Sequence, residues 1–345
     1  MRRSSASRAR PCSGNTTDMR FLVIGLGSMG KRRIRNLFAN DEKDVVGFDV
    51  SADRRKEAEE KHGIKTVADI IAVASNEYDA MIISTPPNLH APYIKKALDD
   101  RTHFFVETTT SDEMLKEAIA ASGDGIIRAP SCTFRHFAPI KMIKRMVEEG
   151  KIGKVLAYDY HLGQYLPDWH PWEDYRNVFF SKKETGACRE LFPFELCWIN
   201  WLVSSPVSDV TGFLAHISDL DMEADDILSA SLVHGNDVRG NVLIDVISRK
   251  PLRTLTLMGS EGVIEWDWMA SEVRVKLASK ETEIIAIEKG KTEEGYIIVE
   301  EMYVEEIKAF LDAIRGISTY PYTFEDVLRN LETLSALEDS AKRRE

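Results

Sequence analysis

The chain has 345 residues, with 45 Lys and Arg against 56 Asp and Glu and a formal net charge of −11. That length fits about two domains, and an acidic chain is a poor match for nucleic-acid grooves, whose affinity comes from Lys and Arg on phosphates. No apolar run reaches the ~18–20 residues of a membrane span, and four cysteines without a CxxC pair fit a reducing cytoplasm rather than a disulfide scaffold.

Residues 1–18 carry four Arg and one Asp, a net +3, so the remainder carries −14. They hold almost no large apolar side chains and cannot bury enough surface to offset ordering. They are expected to be a disordered tail or an over-extended start ahead of Met19. Phe21 to Ile24 then form a short, wholly apolar run, the signature of a buried parallel strand. It leads into Gly25-Leu26-Gly27-Ser28-Met29-Gly30 and a helical pattern at Ile34, Leu37 and Phe38. Strand, GxGxxG and helix in this order are the setting of a dinucleotide-binding turn. Gly25 permits the turn, Gly27 admits a pyrophosphate, Gly30 lets helix and strand pack, and the free N–H groups at the helix start face the phosphates.

The second strand, Val45 to Asp49, ends in an acid 19 residues after Gly30. Asp49 can hydrogen-bond adenosine ribose hydroxyls and repel a 2′-phosphate; the alternative is a loop carboxylate or helix cap. NAD is therefore expected in preference to NADP, although Arg54 and Arg55 could accept a phosphate. Helices are expected over 52–62, 67–75, 89–99 and 112–122, with strands over 79–84, 102–106 and 125–128. This alternation predicts a doubly wound parallel sheet whose ligand lies at the carboxyl ends of its strands. Two such ends stand out: Ser84-Thr85-Pro86-Pro87-Asn88, and Glu107-Thr108-Thr109-Thr110. Thr85, Pro86 and Asn88 are expected at the nicotinamide end, with Glu107 and Thr108 beside them and Asn88 a candidate helix cap. From residue 207 the pattern turns strand-rich, with runs at 208–218, 227–235, 238–248, 252–258 and 262–268. Helices at 300–315 and 323–341 close the chain. Trp266 and Trp268 share a sheet face, as core or as contact.

GLGSMG at 25–30, STPPNLH at 84–90, the strand ending in Glu107, GKIGKV at 150–155 and GSEGVIEWD at 259–267 together resemble the glucose-fructose oxidoreductase / inositol dehydrogenase / MocA (Gfo/Idh/MocA) family. The resemblance runs from Met19 to about Ala341. It implies a Rossmann domain at 19–130 and a C-terminal α/β domain at 131–341 with a large, mostly antiparallel open sheet. It also implies NAD(P)-dependent hydride transfer on a sugar or nucleotide-sugar hydroxyl, and assembly as a homodimer or homotetramer.

The family's usual apparatus is Glu-Lys-Pro after the fifth strand, plus Asp and His four residues apart on a later helix. Here Glu107 matches, but Thr108 stands for Lys and Thr109 for Pro. Aligned through Trp201-Leu202, Glu190 takes the Asp position and Phe194 the His position. Phe194 cannot exchange the proton that alcohol oxidation releases, and Thr108 cannot supply the charge with which Lys would polarise a carbonyl or stabilise an alkoxide. Substitutes are sought in Gln164 to Tyr175, which resembles a loop of members tied to surface-polysaccharide sugars. His170 and Tyr165 are candidate acid/base groups there, with Glu190. Asp168, Trp169 and Trp172 are candidate substrate contacts, the alternative being a structural loop. Glu190 beside Arg189 reads equally as a site carboxylate or a helix ion pair. Arg135, in the interdomain crossing, would hold a substrate anion or tie the domains together. His170, Glu173 and Asp174 have i, i+3, i+4 spacing, but no HExxH or CxxC supports zinc, and no metal is expected. A second reading is a disarmed, nucleotide-binding regulatory protein; a third is epimerisation or elimination with internally recycled NAD.

Overall fold

The computed structural model describes residues 19–74, 77–169, 173–278, 280–288, 290–292 and 299–342. The first sheet is built from β1 (Arg20–Ile24), β2 (Asp44–Phe48), β3 (Lys65–Val67), β4 (Ala80–Ile83), β5 (His103–Val106) and β6 (Arg128–Pro130). Its helices are α1 (Ser28–Ala39), α2 (Ala52–His62), α3 (Ala91–Asp100) and α4 (Leu115–Ala120). The six strands are parallel in the order β3-β2-β1-β4-β5-β6, so the direction of winding reverses between β1 and β4. The crevice above that reversal is where a doubly wound sheet takes its ligand. Phe21 to Ile24 and Met81 to Ile83 are wholly buried because helices cover both faces.

The expected helix at 67–75 is instead strand β3 followed by a single 3₁₀ turn, Ile70–Ala72, in which the Ile71 N–H donates to the Asp69 carboxylate at 2.9 Å. Thr66 and Val67 are β-branched and pair with β2, which suits a strand better than a helix. The last strand begins at Arg128, where the reading had it end. Pro130 is tolerated because β6 is an edge strand and no ladder needs its missing N–H.

The second sheet follows α5 (Ala138–Glu148). It comprises β7 (Val155–Gly163), then, after α6 (Ala187–Leu202), β8 (Val207–Ala215), β9 (Ile227–His234), β10 (Arg239–Asp245) and β11 (Leu252–Gly259). It continues with β12 (Gly262–Asp267), β13 (Glu272–Leu277) and β14 (Glu283–Ala286). The order is β14-β13-β12-β11-β7-β10-β9-β8, antiparallel except for β7 against β10. One face carries Tyr158, Tyr160, Leu228, Leu257, Ile264 and Trp266 into a core with α6, all under 3% exposed. The other face carries polar side chains such as Asp159, Ser231, Asn241 and Glu265. Trp266 is thus a core residue; Trp268 lies just past β12, with the Arg253 guanidinium 5.2 Å from its ring.

The chain then returns to the first sheet. In α7 (Glu301–Ile314), Ile307, Phe310 and Leu311 pack into the core beneath β1, β4 and β5. Phe324 and Val327 of α8 (Phe324–Lys342) join the core on the opposite face of that sheet, while Leu334 and Leu337 reach the second core. The helices read as closing the second domain therefore also cover the first.

One charge sits on the buried stripe of α7. Glu306, wholly buried, accepts hydrogen bonds from the Ser131 hydroxyl at 3.1 Å, the Cys132 N–H at 2.5 Å and the Thr133 hydroxyl at 2.9 Å. It also lies 2.8 Å from an Arg33 nitrogen of α1. Removing one partner of such a buried pair strands the other. Glu306→Ala is expected to cost about 3–5 kcal/mol in urea denaturation, against under about 1.5 kcal/mol for the exposed pair partner Glu305→Ala.

Candidate active site

The glycine turn is shaped by what a side chain would strike. Gly25 has φ +87°, and a Cβ there would meet the Ser84 carbonyl oxygen at 2.7 Å. A Cβ on Gly30 would fall 1.7 Å from the Gly25 oxygen. Gly27 is different: a Cβ would meet nothing nearer than an Arg54 nitrogen at 3.9 Å, so space lies open over the backbone. No side chain caps α1, whose N-cap is Gly27 and whose first turn includes Ser28, Met29 and Gly30. An open cradle over uncapped helix N–H groups fits a pyrophosphate.

Asp49, 5% exposed, holds this turn in place. Its Oδ2 accepts the Leu26 N–H and its Oδ1 the Ser51 N–H, each at 2.8 Å. The Arg54 guanidinium stands 3.8 Å from Oδ2 and is half exposed at the cradle's rim. Asp49 therefore has the loop-bracing role of the alternative reading, and its carboxylate sits at the glycine turn where a ribose would lie.

Thr85 and Pro86 follow β4. The Thr85 carbonyl accepts a hydrogen bond from His90 Nε2 at 2.9 Å, while the Thr85 hydroxyl is enclosed without a partner. Burial pushes His90 down to about 4, so it is neutral and structural at ordinary pH. Asn88 is exposed within a 3₁₀ turn and does not cap α3. The N-cap is His90, which makes no side-chain cap bond, with Pro92 in the first turn of the helix.

Glu107 leaves the end of β5 and is gripped from α1. Arg33 Nε donates to its Oε1 at 2.6 Å and an Arg33 terminal nitrogen to its Oε2 at 3.0 Å. Arg33 is fully buried, with its guanidinium 4.5 Å from the centre of the Phe105 ring. Such a two-point grip fixes a carboxylate in position. Sequence reading missed Arg33 and Glu306. The available signal for Arg33 is that it shares the Gly30, Ile34 and Leu37 face, where an unpaired charge could not be buried.

The first turn of α6 brings up Glu190. Its N–H bonds the Gly186 carbonyl at 2.9 Å, and neighbouring Arg189 turns away to Glu338 at 2.7 Å and to the Thr110 carbonyl at 3.2 Å. The Arg189–Glu190 ion pair is thus absent. The side chain keeps some open surface, but Oε2 is enclosed and has no hydrogen-bond partner. Burial first, and then the negative charge of Glu107, push Glu190 up to about 8. One carboxylate gripped by a guanidinium and another left to hold a proton is an arrangement suited to acid/base chemistry.

Thr108 and Phe194 line a narrow cavity of about 20 Å³ with Glu107, Ser131, Pro193 and Asn330. The Phe194 ring packs edge-on against Phe134, centroids 5.7 Å apart. Beneath it Glu195, wholly buried, accepts from Tyr160 and Trp198 at 2.6 Å each and from Arg253 at 3.0 Å. Arg135 donates to the Cys197 and Pro321 carbonyls at 3.0 and 2.7 Å and lies over the Tyr322 ring, a tie between α6 and the segment ahead of α8.

Among the described residues of the loop after β7, Tyr165 and Trp169 are anchored to their surroundings. Tyr165 carries the Arg249 guanidinium 3.7 Å from its ring centre, Trp169 donates to the Gln164 carbonyl at 3.2 Å and packs edge-on to Phe180, and Asp168 is exposed. His170 and Trp172 lie outside the described residues. Among the described residues there is no cluster of three or more His, Cys, Asp or Glu that could hold a metal, and no helix long and apolar enough to cross a membrane.

Two family profiles match the chain. "Oxidoreductase family, NAD-binding Rossmann fold" covers residues 19–122, and "GFO/IDH/MocA C-terminal domain" covers 140–265. The uncharacterized oxidoreductase YrbE of Bacillus subtilis is 28% identical over 137 residues, 38% of this chain and 40% of that protein. Levoglucosan dehydrogenase in complex with NADH superposes with a TM-score of 0.82 at 19% identity, over 95% of this chain and 98% of the other. UDP-N-acetylglucosamine 3-dehydrogenase GnnA from Acidithiobacillus ferrooxidans gives 0.76 at 17% identity, over 94% and 98%. At these identities the structural likeness is one of fold.

Two outcomes follow from this geometry. Gly30→Ala, which forces the turn open, is expected to weaken NADH binding more than about tenfold in a fluorescence titration. Glu190→Gln is expected to raise the melting temperature at and above pH 8. The folded protein keeps the Glu190 proton up to about 8, whereas the unfolded chain releases it near ~4.5. Wild-type stability therefore falls across that window, and melts of the two proteins should converge below it.

Proposed function

Because this chain belongs to the GFO/IDH/MocA family of NAD-binding oxidoreductases, we propose that it is a dehydrogenase acting on a hydroxyl of a sugar or nucleotide sugar, with Glu190 as its acid/base group. The observation that carries this reading is the enclosed, unpartnered Glu190 Oε2, on a carboxyl that burial pushes up to about 8. NAD, when bound, supplies the hydride acceptor or donor. Gly25, Gly27, Ser28, Met29 and Gly30 would hold its pyrophosphate, Asp49 would face its ribose, and Thr85, Pro86, Glu107 and Thr108 would flank its reactive end.

The protein's own share of the chemistry is to position the hydroxyl and move its proton. Protonated Glu190 donates to the oxygen of a carbonyl being reduced; ionised Glu190 accepts the proton of a hydroxyl being oxidised. Tyr165, Asp168 and Trp169 would contact the substrate from the loop after β7, in keeping with a sugar of surface-polysaccharide metabolism. The structures of similar fold include a levoglucosan dehydrogenase and a UDP-N-acetylglucosamine 3-dehydrogenase, named for a sugar and a nucleotide sugar. The domain division at 130/131, a homodimer or homotetramer and a cytoplasmic location complete the reading.

The test is turnover of NAD⁺ or NADH with a panel of free sugars, anhydrosugars and UDP-sugars and their keto forms. Glu190→Gln is expected to lower kcat about 10²–10⁴-fold with NADH affinity unchanged. Alcohol oxidation should rise with pH through about 8 as Glu190 ionises, and carbonyl reduction should fall over the same range. Tight NADH binding without turnover of any member of the panel would favour the disarmed, regulatory reading, which the replacements at Thr108 and Phe194 support.

A further inference from the structure

The segment that joins β10 to β11 fixes the place of one cation. In the second sheet β7 lies between those two strands, so residues 246–251 must pass over the end of β7 to reach its other side. They are fastened as they cross. The Leu166 N–H donates to the Val246 carbonyl at 2.9 Å. The Asp245 carboxylate accepts the Ser248 N–H at 2.8 Å and the Ser248 hydroxyl at 3.0 Å. Pro251 stiffens the far end. Arg249 is thereby laid on Tyr165, its guanidinium carbon 3.7 Å from the ring centre. A guanidinium stacked in this way is held flat, with its N–H edges left to donate outward. Arg249 and Lys250 are both exposed, and no carboxylate of the described residues pairs with either, although the chain is acidic. The next arginine, Arg253, is spent on buried Glu195 at 3.0 Å. Of the acids on these two connections, Asp245 is buried in its own turn and Asp168 is exposed.

The same end of the sheet carries the first turn of α6. Cys188 Sγ lies 3.6 Å from the Ile244 carbonyl oxygen, which ties that turn to the end of β10. Glu190 follows Cys188 on the helix, and Arg249 follows Ile244 on the crossing segment. We propose that Arg249, with Lys250 beside it, receives the diphosphate of the substrate, so that the sugar presented to Glu190 is a nucleoside diphosphate sugar rather than a neutral one. This rests on the dehydrogenase reading above, with the loop after β7 as one wall of the substrate site. The charges suit a diphosphate. The guanidinium fork matches two oxygens of one phosphoryl group, and the neighbouring ammonium supplies a second charge for the other. A neutral sugar leaves both cations unanswered, and a ring carboxylate answers only one. Tyr165 serves as the platform: its ring holds the fork in place before the anion arrives, which lowers the ordering cost of binding.

The experiment is calorimetric titration of UDP, CDP and GDP into protein saturated with NADH, which keeps the probes out of the dinucleotide cradle. At least one is expected to bind, and Arg249→Met is expected to weaken that binding more than about tenfold. Arg249→Lys should recover part of the loss, because it keeps the charge without the fork. Added salt should weaken binding to wild type more than to Arg249→Met. A melting curve shows whether the Met variant is folded; if it is not, Arg249→Lys decides alone. Equal binding by wild type and the folded variant would overturn the proposal, as would failure of all three nucleotides to bind. So would binding of glucuronate at Arg249 in preference to any of the three, which would give the cations to a ring carboxylate. None of the probes carries the sugar to be oxidised. An inactive sugar panel would therefore defeat the dehydrogenase reading and leave this result standing, whereas turnover of a free sugar by protein that binds none of the nucleotides would do the reverse.

Discussion

The buried charge of Arg33 is the constraint around which the first half of the molecule is arranged. A guanidinium with no exposed surface is intolerable without partners. It finds two, and they come from far along the chain: Glu107 is 74 residues away, and Glu306 belongs to the penultimate helix. Glu306 in turn takes three hydrogen bonds from Ser131, Cys132 and Thr133, where the chain leaves the first sheet. One side chain therefore fixes the cofactor helix, the end of β5, the interdomain crossing and α7 relative to one another. Aromatic faces complete the enclosure, with Phe105 and Tyr303 at 4.5 and 5.3 Å from the guanidinium carbon.

That long reach explains why the glycine turn was legible in the sequence and the charge network was not. Gly25, Gly27 and Gly30 answer to local constraints: a positive φ, a close approach, an open space. Each leaves a mark within six residues. The alternation of short apolar strands with helices is local as well, and it yields the parallel sheet. The helix expected at 67–75 failed because Ile70, Ile71 and Ala72 sustain only one turn, while pairing with β2 draws Thr66 and Val67 into a strand. Strand β7 went unread although it is central to the second sheet. Its polar residues Asp159 and His161 lie on the sheet's open face, and the GKIGKV motif drew the reading to its start. Glu190 was named from its alignment position. What could not be read was that Arg189 pairs elsewhere and that Glu190 Oε2 is left without a donor.

Phe194, where the family resemblance leads one to expect a His, is held by aromatic packing. Phe194 lies edge-on to Phe134, which stacks near Trp198 at 6.2 Å and carries Arg253 at 4.1 Å. A protonatable ring at that position would sit against an apolar aromatic layer, where its charged form is penalised. The polar demand of this layer is met one residue later, by Glu195 with Tyr160, Trp198 and Arg253. The two carboxylates of α6 thus differ in kind: Glu190 has an enclosed oxygen without a donor, whereas Glu195 is fully satisfied in the second core.

The return of α7 across the first sheet also governs the order in which the molecule can be completed. Ile307, Phe310 and Leu311 belong to the same core as Phe21, Val23, Ala80 and Phe105. A ribosome releases the whole first sheet, and then the whole second one, before those residues emerge. Until then one face of the nascent first sheet lacks part of its apolar cover, beyond what Ile34 and Leu37 of α1 supply, and Arg33 lacks one of its two carboxylates. Locking of the first unit is thereby deferred until α7 has been made, and a chain cut short before α7 leaves a defect in a sheet made hundreds of residues earlier.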